Sequence, residues 1–181
     1  MTRKIVATEY VTLDGFMDEP GEWSMPFWSD EAGQYKKEEL FGFEAMLLGR
    51  RTYDGFSRAW PTMSDSEGFA DKMNGMPKYV ASRTPETATW NASILKGDVV
   101  EAVTELKNSD GGDLLLAGSG ELLNLLAQHD LIDEYRLMVH PIVLGEGKKR
   151  LFTTAPRRQL ELTGSVTFPT GVMVHTYRPV R

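Results

Sequence analysis

The stretch DLLLAGSGELLNLL, Asp113 to Leu126, decides how this chain folds. Leu114, Leu115, Leu116 and Ala117 form a short, wholly apolar run, as expected of a strand buried on both faces. Gly118-Ser119-Gly120 follows, and after it leucines at helical spacing. A turn almost without side chains between a buried strand and a helix has two readings. Either strand and helix pack closely there, or a flat, anionic ligand touches the backbone.

Upstream of this unit, Lys4 to Leu13 is β-rich and ends at the Asp14-Gly15 turn. Phe16 to Trp28 is irregular. Ser29-Asp30-Glu31 opens a helix that runs to about Leu40: Ser29 can accept from free N–H groups, and acids suit the positive helix end. Ala45 to Leu48 is a strand broken at Gly49, and Arg50 to Phe56 is helical. Thr62 to Gly75 is polar, loop-like or weakly helical. Lys78 to Ser82 is a strand, ended by Arg83-Thr84-Pro85. Val99, Val100, Val103 and Leu106 follow helical spacing. Downstream, Glu134 to Leu144 is a strand, and Leu160–Phe168 and Val172–Arg178 are joined as a hairpin by FPTG. Strands and helices alternate through two-thirds of the chain. This predicts an α/β fold in one domain, with a mostly parallel central sheet, helices on both faces and a C-terminal antiparallel β-hairpin at one edge.

The bulk composition narrows the function. The 181 residues can bury a sizeable core, and 41% hydrophobic with 25% charged content is that of an ordinary globular protein. Twenty basic against 26 acidic residues, a net charge of -6, argue against a nucleic-acid-binding surface. With no cysteine, disulfides, thiolate catalysis and cysteine-ligated zinc are excluded. His129, His140 and His175 are not spaced as a metal site. MTRKIVATEYVTLDG starts a strand pattern at once and is not a signal peptide, and no segment is apolar for long enough to cross a bilayer. A cytoplasmic enzyme or binding protein, with no membrane partner, is the expectation.

Three strand ends share one design. Gly49-Arg50-Arg51-Thr52, Ser82-Arg83-Thr84 and Gly118-Ser119-Gly120 each follow an apolar strand with glycine, hydroxyl or guanidinium groups. In open α/β sheets ligands gather at the carboxyl ends of strands. Helix N-termini there offer free N–H groups, glycines let those groups approach closely, and arginine forks match phosphate oxygens. A dinucleotide with a pyrophosphate and a further 2′-phosphate would use all three corners. Each piece alone is weak, and the full G-x-G-x-x-G fingerprint is missing.

These segments resemble a known fold. LLGRRTYDGF, YVASRT and LLLAGSGELLNLL are similar to three NADPH-binding segments of the dihydrofolate reductase fold. VTLDGFM and IDEYRLMVHPIVLGEGKKRLF resemble one branch of it, the C-terminal reductase domain of RibD, a bacterial riboflavin-pathway enzyme. The resemblance spans Val11 to Phe152 and implies a three-layer fold and hydride transfer from NADPH. It implies that Gly49, Arg50 and Thr52 hold cofactor phosphate and ribose, that Ser82 and Arg83 read the 2′-phosphate, and that Gly118, Ser119 and Gly120 cradle the pyrophosphate. Ala7 and Leu13-Asp14-Gly15 would border the nicotinamide, and Gly145-Glu146-Gly147 matches the family's late glycine loop. A homodimer formed through the late strands and final hairpin is also implied. The zinc-deaminase half of the two-domain riboflavin enzyme is absent from this chain.

On the substrate side, dihydrofolate reductases place one carboxylate in an apolar pocket, where it orients the pterin and aids protonation. Trp23 and Pro26 resemble their W-x-x-P, but Trp28 holds the place of the acid, with Asp30 and Glu31 after it. Asp30 is thus either a catalytic carboxylate or a helix N-terminal charge, and Asp14 either catalytic or a turn former. Trp23, Phe27 and Trp28 either wall a flat heterocycle or plug the core. Glu9 and Tyr10 point to opposite faces of the first strand, so one of them can line the pocket. The expectation is an NADPH-dependent reductase of a planar pyrimidine or pterin. The alternative is a non-catalytic NADPH-binding module or redox sensor.

Overall fold

The computed structural model describes residues 2–84 and 87–181. Pro85, expected in the turn after the third strand, lies outside the described residues. In chain order the elements are β1 (Ile5–Thr12), α1 (Pro20–Trp23), α2 (Asp30–Phe41), β2 (Ala45–Gly49), α3 (Arg50–Ala59), α4 (Phe69–Gly75), β3 (Lys78–Ala81) and β4 (Ala92–Ile94). They continue with α5 (Val99–Asn108), β5 (Leu114–Ala117), α6 (Gly120–Gln128), β6 (Glu134–His140), β7 (Leu160–Thr167) and β8 (Met173–Pro179). Short 3-10 turns cover Met25–Phe27 and Trp60–Thr62.

The eight strands form one sheet in the order β4-β3-β2-β5-β1-β6-β8-β7. β1 to β6 pair in parallel, and the β7–β8 hairpin joins antiparallel to β6. Leu114, Leu115 and Leu116 are all at most 3% exposed because β5 lies inside the sheet with a layer on each face. Leu114 and Leu116 pack with Val103 of α5 and Leu122, Leu123 and Leu126 of α6. Leu115 packs with Leu40 of α2, Tyr53 of α3 and Met73 of α4. The side-chain period of two thus divides one leucine run between two cores.

Several element ends differ from the sequence expectation for local reasons. Ser29 does cap α2, its hydroxyl accepting from Ala32 N at 3.2 Å. β6 stops at His140, not Leu144, because Pro141 has no N–H for the ladder. Phe168-Pro169-Thr170-Gly171 closes the hairpin as expected, with Gly171 N donating to Phe168 O and Gly171 at φ +89°. The irregular Phe16–Trp28 stretch contains α1, and β4 follows Trp90 and Asn91, both at positive φ.

Candidate active site

Parallel strands deliver β1, β2, β3 and β5 to one end of the sheet, where all three expected corners lie. Two of them touch. Ser119 Oγ accepts from Gly49 N at 2.8 Å and lies 3.0 Å from Thr52 Oγ1 and 3.1 Å from Ala117 O. The contact needs glycine on both sides. A Cβ at Gly49 would stand 3.2 Å from Ser119 Cβ, and one at Gly118 would stand 3.2 Å from Thr52 Oγ1. Gly118 and Ser119 both have left-handed backbone, φ +56° and +62°, which is costly for a serine. That geometry aims the Ser119 side chain at β2 rather than back at its own helix.

The consequence is electrostatic. Ser29 caps α2, Asp98 accepts from Glu101 N at α5, and Asp65 accepts from Phe69 N and Ala70 N at α4. α3 and α6 begin at Gly49 and Ser119 with no side-chain cap. The two helices that open at the touching corners therefore start without a cap from Gly49 or Ser119, and their positive ends face the corners, where an anion is favoured. This fits the diphosphate of a dinucleotide, with Gly49, Thr52, Gly118, Ser119 and Gly120 around it.

The third corner belongs to the neighbouring strand: Gly49 is level with Ala81, and Ser82 follows. Ser82 Oγ stands 3.1 Å from Thr84 Oγ1 and accepts from Thr84 N at 3.3 Å, folding the corner into a tight turn. Arg83 is exposed beyond it. Arg50 does not point at the corner alone: its Nε donates to Asp54 Oδ1 at 2.9 Å along α3.

The segment after β1 closes over this end and is braced from below. Asp14 accepts from Thr12 Oγ1 at 2.7 Å, from Gly145 N at 2.8 Å and from Leu144 N at 3.2 Å. The Thr12 hydroxyl and those amides hold its carboxyl below the usual range. Asp14 is therefore an acceptor that fixes the 144–149 loop rather than a proton source. Asp18 repeats the device, accepting from Lys148 N and Lys149 N. Gly147 lies against Phe16, where a Cβ would fall 2.5 Å from the ring, so the late glycine loop packs as a brace. Met17 meets Gly120 at the start of α6. Ala7 is fully buried in β1, whereas Leu13 is exposed and Gly15 makes the turn at φ +87°.

The aromatic candidates separate. Trp23 is buried, donates Nε1–H to Asp18 O at 2.6 Å and packs edge-on against His140. Tyr10 and Phe27 pack on the same imidazole, and burial lowers the pKa of His140. Trp23 is thus a core plug, and Phe27 packs against a core of Ala32, Met138, Phe168, Val172 and Val174. Trp28 is 45% exposed and lies against Gly33. Asp30 is exposed in the first turn of α2, in keeping with a helix-end charge.

Two concavities lie away from the glycine corners. One, about 260 Å³, is lined by Ala127, Tyr135, Phe152 and Leu160 among others. The other, about 290 Å³, lies at the opposite end of β1 and β6, beside Glu39, Glu134, Arg136 and Arg178. Asp30 at the start of α2 is exposed, whereas Glu9 on β1 and Glu39 farther along α2 are buried carboxylates, 2% and 4% exposed. For Glu9 the available signal was an acid amid the apolar run of the first strand.

The strand order is that of a dihydrofolate reductase-like fold. Solved structures of other proteins share it. A pyrimidine reductase-like protein of Corynebacterium diphtheriae superposes with TM-score 0.71 at 12% identity, covering 99% of this chain and 92% of that one. Dihydrofolate reductase of Enterococcus faecalis, solved with NADP(H) and RAB-propyl, gives 0.67 at 14% identity over 100% of both chains. Within that fold the chain belongs to the RibD C-terminal domain family, whose model matches residues 3–174. The uncharacterised protein YyaP of Bacillus subtilis (strain 168) is 30% identical over 179 residues, 97% of this chain and 94% of YyaP.

Proposed function

We propose that this protein is an NADPH-dependent reductase of a small planar heterocycle, of pyrimidine or pterin type. The observation that carries the reading is the meeting of two uncapped helix ends, α3 and α6, through Gly49, Thr52 and Ser119. Family membership supports reduction as the reaction class. When bound, NADPH supplies a hydride from its nicotinamide. The chain supplies position: first-turn amides of α3 and α6 take the diphosphate, Ser82 and Arg83 the 2′-phosphate, and Ala7 walls the nicotinamide end. The Phe16–Trp28 segment, anchored through Asp14 and Asp18 to the 144–149 loop, keeps water from the site. Purified protein should oxidise NADPH only when a suitable acceptor is present. Tight NADPH binding without turnover on a broad panel of heterocycles would favour the binding-module alternative, which the exposure of Asp30 supports.

Cofactor choice gives a sharper result. Arg83→Ala should weaken NADPH binding about tenfold, the worth of one exposed charge-assisted contact, and leave NADH nearly unaffected. Equal losses for both cofactors would remove Arg83 from the 2′-phosphate site.

We place the protein in the cytoplasm, and no helix among the described residues is long and apolar enough to cross a membrane. We also propose a homodimer formed through the edge strand β7. Leu162 and Val166 are 53% and 43% exposed on it, beside the groove lined by Phe152 and Leu160. Sedimentation at micromolar concentration should give the dimer mass; a stable monomer would refute it.

A further inference from the structure

Glu9 is held where the packing has no use for a carboxyl. Alternation along β1 puts it with Ala7 and Val11 on the face covered by α5 and α6. Opposite it on β6 stands Leu137. On the other side β5 ends with Ala117 level with Thr8, so the residue level with Glu9 is Gly118, the start of the glycine turn. Its Oε1 is buried and has no hydrogen-bond partner among the described residues.

The charged groups around it do not neutralise it. Lys36 and Glu39 of α2 lie across the sheet, where they bond to Thr8, the residue on the other face. Beyond Leu137, β8 contributes His175, and Glu121 of α6 is exposed. Burial raises the Glu9 carboxyl well above its ordinary value; Lys36 opposes the rise and Glu39 adds to it. Burial thus favours the protonated, neutral form of the Glu9 carboxyl.

Strand order says what lies beside it. A diphosphate on the α3 and α6 ends sits over β2 and β5. One arm of the dinucleotide runs outward to Ser82 and Arg83 on β3. The other arm must run the opposite way, over β1. The geometry points to Glu9 as the proton donor of the proposed reduction, facing the nicotinamide end of the site across Gly118. This rests on the reductase reading. As the acceptor carbon of a C=N bond takes the hydride, its π pair passes to nitrogen. Nitrogen takes the proton as the Glu9 O–H bond breaks. The acceptor gains two electrons from the reduced nicotinamide, and water returns a proton to the Glu9 carboxylate.

The test needs no acceptor. NADP⁺ and NADPH share the 2′-phosphate and differ in the charge of the nicotinamide. Calorimetric titration in buffers of different protonation enthalpy should show wild-type protein releasing a proton on binding NADP⁺ but not NADPH. Glu9→Gln, which keeps the shape of the protonated acid, should bind NADPH unchanged and release no proton with either. With an acceptor, its NADPH oxidation should fall by about 100-fold or more. In urea, the wild-type midpoint should drop as pH rises above about 4.3, since a raised folded pKa favours the fold only while the acid is protonated. Glu9→Gln should lose that slope. Binding of both cofactors with no difference in proton release, or a difference that survives in Glu9→Gln, overturns the assignment. If neither cofactor binds saturably, the reductase reading itself fails and takes the proton donor with it.

Discussion

Gly118→Val should weaken NADPH binding by about 100-fold while leaving a cooperatively folded protein. Gly118 is at φ +56°, where an L-residue costs about 1–2 kcal/mol and a β-branched one more. Its Cβ would press on Thr52 Oγ1 from 3.2 Å. Relief of that contact moves the start of α6 away from the start of α3, and the two sets of amides no longer converge. Charge-assisted hydrogen bonds contribute about 1.5–3 kcal/mol each, so loss of one or two gives about two powers of ten in affinity. Gly55→Ala is the control. Nothing lies within 4 Å of its Cβ position in α3, and alanine favours a helix. It should leave affinity unchanged and stability equal or higher. Isothermal titration together with urea unfolding separates the two effects. An affinity loss no larger for Gly118→Val than for Gly55→Ala would detach the glycine turn from the cofactor.

Glu39→Ala should cost about 3–5 kcal/mol of stability, read by urea unfolding. Glu39 is 4% exposed on α2 and accepts from Thr8 Oγ1 at 3.1 Å. Its Oε2 also pairs with Lys36 Nζ, and Arg136 Nη1 lies 3.6 Å from its other oxygen. Lys36 is itself largely buried, with Nζ 3.0 Å from Thr8 Oγ1. Burial works against its ammonium, but Glu39 and then Tyr10 hold its pKa above the ordinary value. Without Glu39 that charge is buried and uncompensated. The double variant Lys36→Met, Glu39→Leu should recover most of the loss, because it removes both charges together. A single-variant loss below about 1 kcal/mol would mean that water already reaches the cluster.

The fold was legible where one residue pattern admits one structure. The apolar Leu114–Ala117 run, flanked by turns, could only be a strand buried on both faces, and alternation with helices made the sheet parallel. Ser29 is a local signal for a helix start, because a cap acts within three residues. β4 was not legible: Ala92–Ile94 is three residues long and owes its pairing to β3, which no local pattern records. The glycine corners were readable as strand ends, but not their contact. Ser119 reaches Gly49 and Thr52 only because the sheet places β5 beside β2, across about 70 residues of chain. Asp30 drew attention by its position in sequence, and exposure at the end of α2 gives it an ordinary helix-end role. Glu9 shows the converse. Alternation fixes which face it takes, whereas its burial depends on where β5 stops and α6 begins.

The most direct measurement is the crystal structure of the protein grown with NADP⁺. The account predicts diphosphate oxygens within about 3.2 Å of first-turn amides of both α3 and α6. The nicotinamide should lie over β1, and the 2′-phosphate beside Ser82 and Arg83. A dinucleotide bound elsewhere, or a Gly49–Ser119 contact closed and empty at saturating cofactor, would contradict it.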